Sequence, residues 1–186
     1  MAKSYYELII RGDDKRLLAY VEGFMRGKGV RSGYFFTSGL PVDIGHLRER
    51  VKYHGEVVHV LCEAPLRAAV ESAVKQASES FGFDVVETRK LKGAGFRFEC
   101  STANRKVAGE LKRALARLPE GVRLADYEPE EIVDKDAAVV EVYSPAHPYE
   151  FRAKGAVTGD VAGVLRVRAK LGENEFFRCQ DVTLHH

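Results

Sequence analysis

The sequence predicts an α+β fold in which one strand–helix–strand unit is repeated. In three places a short apolar strand pattern ends at a fixed distance before an arginine that opens an amphipathic helix, namely Arg16, Arg67 and Arg105. A fourth, degenerate copy begins at residues 139–143, where Pro148 stands in place of the arginine and delays the helix. One such unit cannot bury its apolar face alone, so the copies must stack on one another.

The first half contains two copies of this unit. Alternating apolar residues predict its strands, spacings of three and four residues predict its helices, and Pro65 marks the start of the second repeated helix. The predicted elements are, in order, a strand at 5–11, a helix around 17–25, a strand at 33–37, a helical insertion at 42–55, a strand at 56–62, a helix from Pro65 and a strand at 84–91.

The second half begins with the same plan and departs from it in its last copy. Pro119 and Gly121 are predicted to stop its first helix. The predicted elements are a strand at 96–100, a helix with an apolar stripe over 107–118, strands at 122–127 and 137–143, a long polar connection at 144–160, a helix at 161–171 and a strand at 176–184.

A glycine-rich joint from Lys92 to Gly95 separates the two halves. Each half then has the order βαββαβ, which is that of a ferredoxin-like sandwich with an antiparallel sheet and two helices on one face. We therefore expect two tandem ferredoxin-like halves, residues 1–92 and 93–186. Several strands are apolar on both faces, which predicts that the two sheets pack on each other or on the partner in a homodimer.

The composition is that of an ordinary globular protein, with 45% hydrophobic and 30% charged residues among 186. No apolar run approaches the roughly 18 to 20 residues that span a bilayer, and residues 1–7 lack a signal-peptide pattern. Cys62, Cys100 and Cys179 are an odd number at no metal-ligand spacing, so we expect free thiols. These features predict a cytoplasmic protein with no membrane partner and no metal site.

The small net charge makes a nucleic-acid partner a weaker prediction than a small anionic ligand. The formal charge is +2, with +3 in the first 92 residues (15 basic, 12 acidic) and −1 in the remainder (14 basic, 15 acidic). Dedicated nucleic-acid binders carry a larger basic excess.

The long connection of the fourth copy is the first candidate for a ligand site. It places an imidazole, a phenol, two cations, a hydroxyl and a carboxylate in the one copy that breaks the repeat, and long loops in compact domains tend to be functional. The candidate ligand-binding residues are His147, Tyr149, Arg152, Lys154, Thr158 and Asp160. The alternative is that this segment covers a sheet edge.

The repeated arginines form a second candidate set. Arg16, Arg67 and Arg105 lie in the first turns of their predicted helices, where backbone N–H groups and a guanidinium together can hold a phosphate or a carboxylate. The alternative is a surface ion pair with a neighbouring carboxylate such as Asp13 or Glu63.

Residues 92–98 resemble the aromatic RNA-contacting signature of the RNA-recognition motif, whose fold is also βαββαβ. Ala94 and Glu99 stand where that signature places aromatic rings. Without those rings the strand has no surface on which bases stack, so Phe96 and Phe98 are predicted to pack in the core.

The sequence contains no paired acid and base and no nucleophile motif, and it identifies no cofactor. We therefore expect a non-catalytic binding or regulatory module for a small anionic ligand. An RNA- or ribosome-associated protein is the alternative, and an enzyme with a cysteine and histidine centre is the third hypothesis. His185 and His186 are interpreted as either an ordinary tail or residues added for expression, and they are left out of the candidate sites.

Overall fold

The computed structural model describes residues 4–11, 14–36, 57–133 and 149–186. They form two compact units, one from the chain up to Gly93 together with Thr183–His186, the other from Ala94–Val182. The described residues contain two antiparallel sheets and four α-helices, which confirms the α+β class. Among them, no helix has both the length and the apolar character that crossing a membrane requires. The predicted insertion at 42–55, the strand at 137–143 and His147 lie outside the described residues.

The first unit is a four-stranded sheet with two helices. Its elements are β1 (Tyr5–Arg11), α1 (Asp14–Gly27), β2 (Tyr34–Phe36), β3 (Val57–Glu63), a 3₁₀ turn (Ala64–Leu66), α2 (Arg67–Phe81) and β4 (Asp84–Leu91). The strand order is β2-β3-β1-β4, and all neighbours are antiparallel. Gly82 ends α2 with a left-handed φ of 73°, which a glycine adopts without steric cost.

The core of the first unit lies between the sheet and its helices. The alternation of β1 directs Leu8 and Ile10 toward the helices, where they pack in one cluster with apolar residues of α1 and α2. The opposite face of β1 carries Glu7 and Ile9, and both are fully buried as well. Each large apolar side chain removed from water contributes roughly 1.5–3 kcal/mol to folding.

The second unit has the same kinds of element in the same order. They are β5 (Gly93–Thr102), α3 (Arg105–Leu115), β6 (Val122–Val133), β7 (Tyr149–Gly159), α4 (Val161–Gly172) and β8 (Phe177–Cys179). The strand order is β6-β7-β5-β8. Phe96 and Phe98 are buried on the face of β5 opposite exposed Arg97 and Glu99, so their predicted core placement is confirmed.

Three boundaries differ from the prediction, the first being that the strand predicted at 122–127 continues to Val133. Residues 149–159 of the predicted connection are not a loop but the central strand β7, because Tyr149, Phe151 and Ala153 alternate with polar residues at the period of a half-buried strand. The predicted last strand at 176–184 is split between β8 and β9 (Thr183–His185). β9 belongs to the first unit, where the N–H of Lys92 donates to the carbonyl of His185 at 2.7 Å.

Candidate anion-binding site

The described residues predicted from the fourth copy lie on both faces of one strand and just after its end. Because they lie along β7, their side chains alternate between its faces, so that Tyr149 is buried whereas Arg152 and Lys154 are exposed on the opposite side. Asp160 follows the strand as the N-cap of α4.

Arg152 and Lys154 lie on the open face of the second sheet, where carboxylates already accompany them. Arg152 Nε donates to Glu150 Oε1 at 2.7 Å, and Lys154 Nζ lies 2.8 Å from Glu128 Oε2. The two cations line a depression of about 720 Å³. Since each has an adjacent anionic partner, this face attracts an external anion only weakly.

The other three predicted ligand-binding residues that the structure describes contact groups within the protein. Tyr149 lies beneath the guanidinium of Arg105, 4.9 Å from its ring centroid, and burial raises the pKa of its hydroxyl. Thr158 Oγ1 accepts a hydrogen bond from Arg123 Nε at 3.2 Å. Asp160 Oδ2 accepts from the N–H of Gly163 at 3.0 Å, so the chain's own carboxylate caps the N-terminus of α4.

Two of the repeated arginines also have structural contacts. Arg67 lies 4.5 Å from the ring centroid of Tyr6 and donates from Nε to Glu71 at 2.8 Å. Arg105 lies over Tyr149 in the same way. In both units a helix-opening arginine stacks on a tyrosine of a central strand, which favours a packing role for the repeat. Arg16 is exposed in α1.

The helical layer of the second unit is strongly basic. Together, α3 and α4 carry seven cations and one carboxylate, Glu110, whereas α1 and α2 carry five cations and four carboxylates. The cations of these two helices are Arg105, Lys106, Lys112 and Arg113 in α3 and Arg166, Arg168 and Lys170 in α4. Lys112 is paired, with Nζ 2.5 Å from Glu131 Oε2.

An open groove of about 720 Å³ lies between α3 and α4. We call it the basic groove because it is lined by Arg113, Arg117 and Lys170, with Leu171 among its apolar residues. Within the described part of the chain, none of the three cations has an ion pair or a side-chain hydrogen bond. Unpaired cations around a concave surface are what an anionic ligand requires.

Three carboxylates lie in the same groove and equal its three cations in number. Glu110 Oε2 accepts a hydrogen bond from Asn174 Nδ2 at 3.2 Å. Glu173 and Glu175 belong to the turn after α4. The potential of the groove therefore depends on both sets of side chains, which makes it testable by substitutions of opposite sign.

Sequence reasoning missed this groove because it averaged charge over each half. All but one of the fifteen acidic residues of the second half lie outside its two helices, and in the sum they offset the cations of those helices. Counting charges helix by helix over 105–117 and 161–172 reveals the excess.

A second cluster missed by the sequence lies in the first unit. Glu7 and His59 are fully buried, with Oε1 and Nδ1 hydrogen-bonded at 2.5 Å, and His186 Nε2 lies 3.4 Å from Glu7 Oε2. The signal was a charged and an ionisable residue inside two apolar strand patterns. A pair closed to solvent offers no approach for a substrate, so we assign it to stability. No three described His, Cys, Asp or Glu residues are grouped to hold a metal ion.

We expect Cys62 to resist alkylation in the native protein. Burial raises the pKa of its thiol to about 11, and burial also raises the pKa values of Cys100 and Cys179. At pH 8 about one Cys62 in a thousand is then ionised, against about one in four for an ordinary thiol. Iodoacetamide should label Cys62 more than about 100-fold slower in the native than in the urea-unfolded protein, as read by mass spectrometry. Rapid native labelling would contradict this prediction and favour the hypothesis of a cysteine nucleophile.

No protein-family model matches the sequence, and no curated protein matches it either. Among solved structures, an unknown protein from Galdieria sulphuraria is 13% identical with a TM-score of 0.28, each chain covering 100% of the other. A microcompartment protein from Desulfitobacterium hafniense DCB is 15% identical over 99% of this chain and 94% of its own, with a TM-score of 0.27. Csf5, a CRISPR-Cas type IV Cas6 crRNA endonuclease, is 9% identical over 84% of this chain and 90% of its own, with a TM-score of 0.26. TM-scores this low do not establish a common fold, so these proteins do not bear on the function.

Proposed function

We propose that this protein is a non-catalytic binding module for an anionic ligand, and that the basic groove of the second unit is its binding site. The observation that carries the proposal is a set of three cations around one groove, Arg113, Arg117 and Lys170, that form no ion pair with any residue the structure describes. Ionised donors without an internal partner are available for charge-assisted hydrogen bonds to phosphate or carboxylate oxygens. The cations of the open sheet face, by contrast, are accompanied by carboxylates.

The helix dipole explains part of this charge but not all of it. Lys112, Arg113 and Lys170 lie in the last turns of their helices, where the dipole favours cations. Arg105 and Lys106 open α3, where the dipole disfavours them, and no acidic residue stands in that first turn.

A titration with inorganic pyrophosphate at low salt tests the proposal. Replacing Arg113, Arg117 and Lys170 with alanine should weaken binding about tenfold, because three exposed contacts of roughly 0.5 kcal/mol each are lost. Replacing Glu173 and Glu175 with glutamine should strengthen binding, since it removes repulsion from the same groove. Isothermal titration calorimetry measures both changes.

The matched control removes three cations from the first unit instead. Arg26→Ala, Lys28→Ala and Lys75→Ala change the net charge equally, and all three residues are exposed. This variant should bind pyrophosphate as the unaltered protein does. If both triple variants lost the same affinity for pyrophosphate, net charge alone would explain the effect. That result would contradict a binding site in the groove.

We also propose that the chain is a tandem duplication of a ferredoxin-like unit that acts in a reducing compartment such as the cytoplasm. The two strand orders, β2-β3-β1-β4 and β6-β7-β5-β8, place corresponding elements at corresponding positions, which supports the duplication. Three free cysteines support the compartment.

A further inference from the structure

We infer that the anion held by the basic groove is a single-stranded nucleic acid, with Phe176 as the platform on which a base stacks. This inference rests on the proposed anion-binding function and adds the chemical class of the ligand. Its basis is an exposed aromatic ring at the rim of the groove, a feature that a site for a small phosphate or carboxylate does not need.

Phe176 is the aromatic side chain of the groove that remains in water. Its side chain is 45% exposed, whereas the adjacent Phe177 is 7% exposed and packs in the core. The N–H of Phe176 donates to Asn174 Oδ1 at 3.0 Å, which holds the backbone of this turn in place. Phe176 thus presents a positioned π surface, and any base can stack on such a surface regardless of sequence.

The ring lies beside the cations of the basic groove, which it lines together with Arg113, Arg117 and Lys170. On its other side is the depression of the sheet face, where four carboxylates outnumber three cations. A strand that stacks one base on the ring can therefore extend its phosphates into the groove, and the depression offers no equivalent path. Interleaved aromatic and basic side chains are typical of proteins that bind single strands.

The cations lie on both walls of the groove, an arrangement that suits successive phosphates along a chain. Arg113 belongs to the last turn of α3, and Arg117 follows in the turn after that helix. Lys170 belongs to the other wall of the groove. Apolar residues between the walls, Val107, Ala114 and Leu171, provide contact surface for a sugar or a base edge.

Other polyanionic occupants fit the groove less well. In a duplex the faces of the bases stack on one another, so they are not available to stack on the exposed ring. Binding to a membrane surface requires a broad apolar face on the protein beside the cations, whereas the rim of this groove is polar apart from one exposed ring. An acidic peptide would satisfy the cations but does not account for the ring, and it becomes an outcome of the test.

Fluorescence anisotropy with a labelled uridylate dodecamer tests this inference. The association constant should fall with salt with a logarithmic slope of about −2, since three phosphate contacts contribute about −0.7 each. The triple variant of Arg113, Arg117 and Lys170 should lose most of that slope. Phe176→Ala should weaken binding about 5- to 150-fold, the loss expected for one base–aromatic stack.

Two substitutions control for loss of folding and for nonspecific stacking. Phe176→Tyr should retain binding, because tyrosine presents an equivalent ring. Phe81→Ala removes a phenylalanine of the first unit that is 47% exposed, and it should leave the affinity unchanged.

The outcomes separate the two proposals. Tighter binding of the dodecamer than of its duplex form, lost in Phe176→Ala, supports the inference. Equal affinity for the two forms, or for a polyglutamate peptide of the same charge, overturns it. If pyrophosphate binding requires the three cations but the dodecamer binds no more tightly than pyrophosphate at the same salt, the ligand class is wrong while the anion-binding function stands.

Discussion

Replacing Glu7 with alanine is expected to lower the free energy of unfolding of the first unit by about 3 kcal/mol. Glu7 and His59 are fully buried and hydrogen-bonded to each other at 2.5 Å. Breaking a buried pair by removing one partner costs roughly 3–5 kcal/mol, because the remaining polar group loses its partner where water cannot replace it. His186 lies 3.4 Å from the other carboxylate oxygen, so the same change removes a contact of the last residue of the chain.

Three further variants distinguish the pair from simple loss of a side chain. Glu7→Gln keeps the shape and one acceptor oxygen, so it should cost about 1 kcal/mol. Glu7→Leu combined with His59→Leu should recover most of the stability, since apolar replacement of a buried pair is often neutral. Glu79→Ala, exposed in α2, should change the free energy by less than about 0.5 kcal/mol.

Urea unfolding measures all of these variants. Because the chain has no tryptophan, far-ultraviolet circular dichroism is the suitable signal. A Glu7→Ala protein that unfolds at the same urea concentration as Glu79→Ala would contradict a stabilising role for the pair. If Glu7→Ala does not fold, the comparison of Glu7→Gln with the double leucine variant still decides the question.

The helices were predictable from sequence because their signals are local. The helix predicted at 161–171 is observed at Val161–Gly172, and Asp160 immediately before it supplies the cap. Apolar residues at spacings of three and four indicate which side of a helix is buried. This pattern can be identified without knowing which other elements the helix packs against.

The strand β7 was missed because one of its faces is open to water. Arg152 and Lys154 are exposed there, and they gave the segment the polar character of a loop. The buried alternation of Tyr149, Phe151 and Ala153 carried the correct signal. An antiparallel strand that is covered on one side combines both patterns, so polarity alone does not identify a loop.

The buried pair of Glu7 and His59 and the basic groove both depend on how elements that are distant in sequence are arranged, which local sequence patterns do not reveal. Ile9 stands opposite His59 in the register of β1 and β3, which brings Glu7 and His59 to diagonal positions on one face. The basic groove likewise depends on how α3 and α4 are placed relative to one another. Periodicity predicts each element, whereas register and helix pairing come from the long-range packing of the whole unit.

Replacing Gly159 with alanine should destabilise the second unit by about 3 kcal/mol or more. Gly159 has a φ of 142°, and an added Cβ would lie 2.1 Å from the carbonyl oxygen of Gly121 and 2.9 Å from Cα of Val122. The strained backbone costs roughly 1–3 kcal/mol, and forcing the neighbouring strand away costs a similar amount. The carbonyl oxygen of Gly121 is a backbone atom and accepts a hydrogen bond from the N–H of Asp160 at 3.0 Å. It therefore cannot rotate away as a side chain would.

Gly23→Ala is the matched control with the opposite sign. Gly23 lies in the interior of α1, and an added Cβ would meet nothing within 4 Å, so alanine should raise the free energy of unfolding by about 0.5–1 kcal/mol. Gly159 joins β7 to α4, which carries Lys170 and hence one wall of the basic groove. We therefore expect Gly159→Ala to weaken pyrophosphate binding as well as stability, and Gly23→Ala to change only stability. A Gly159→Ala protein with an unchanged urea midpoint would show that the Gly121 turn moves at no cost, and would remove the steric reason for a glycine at this position.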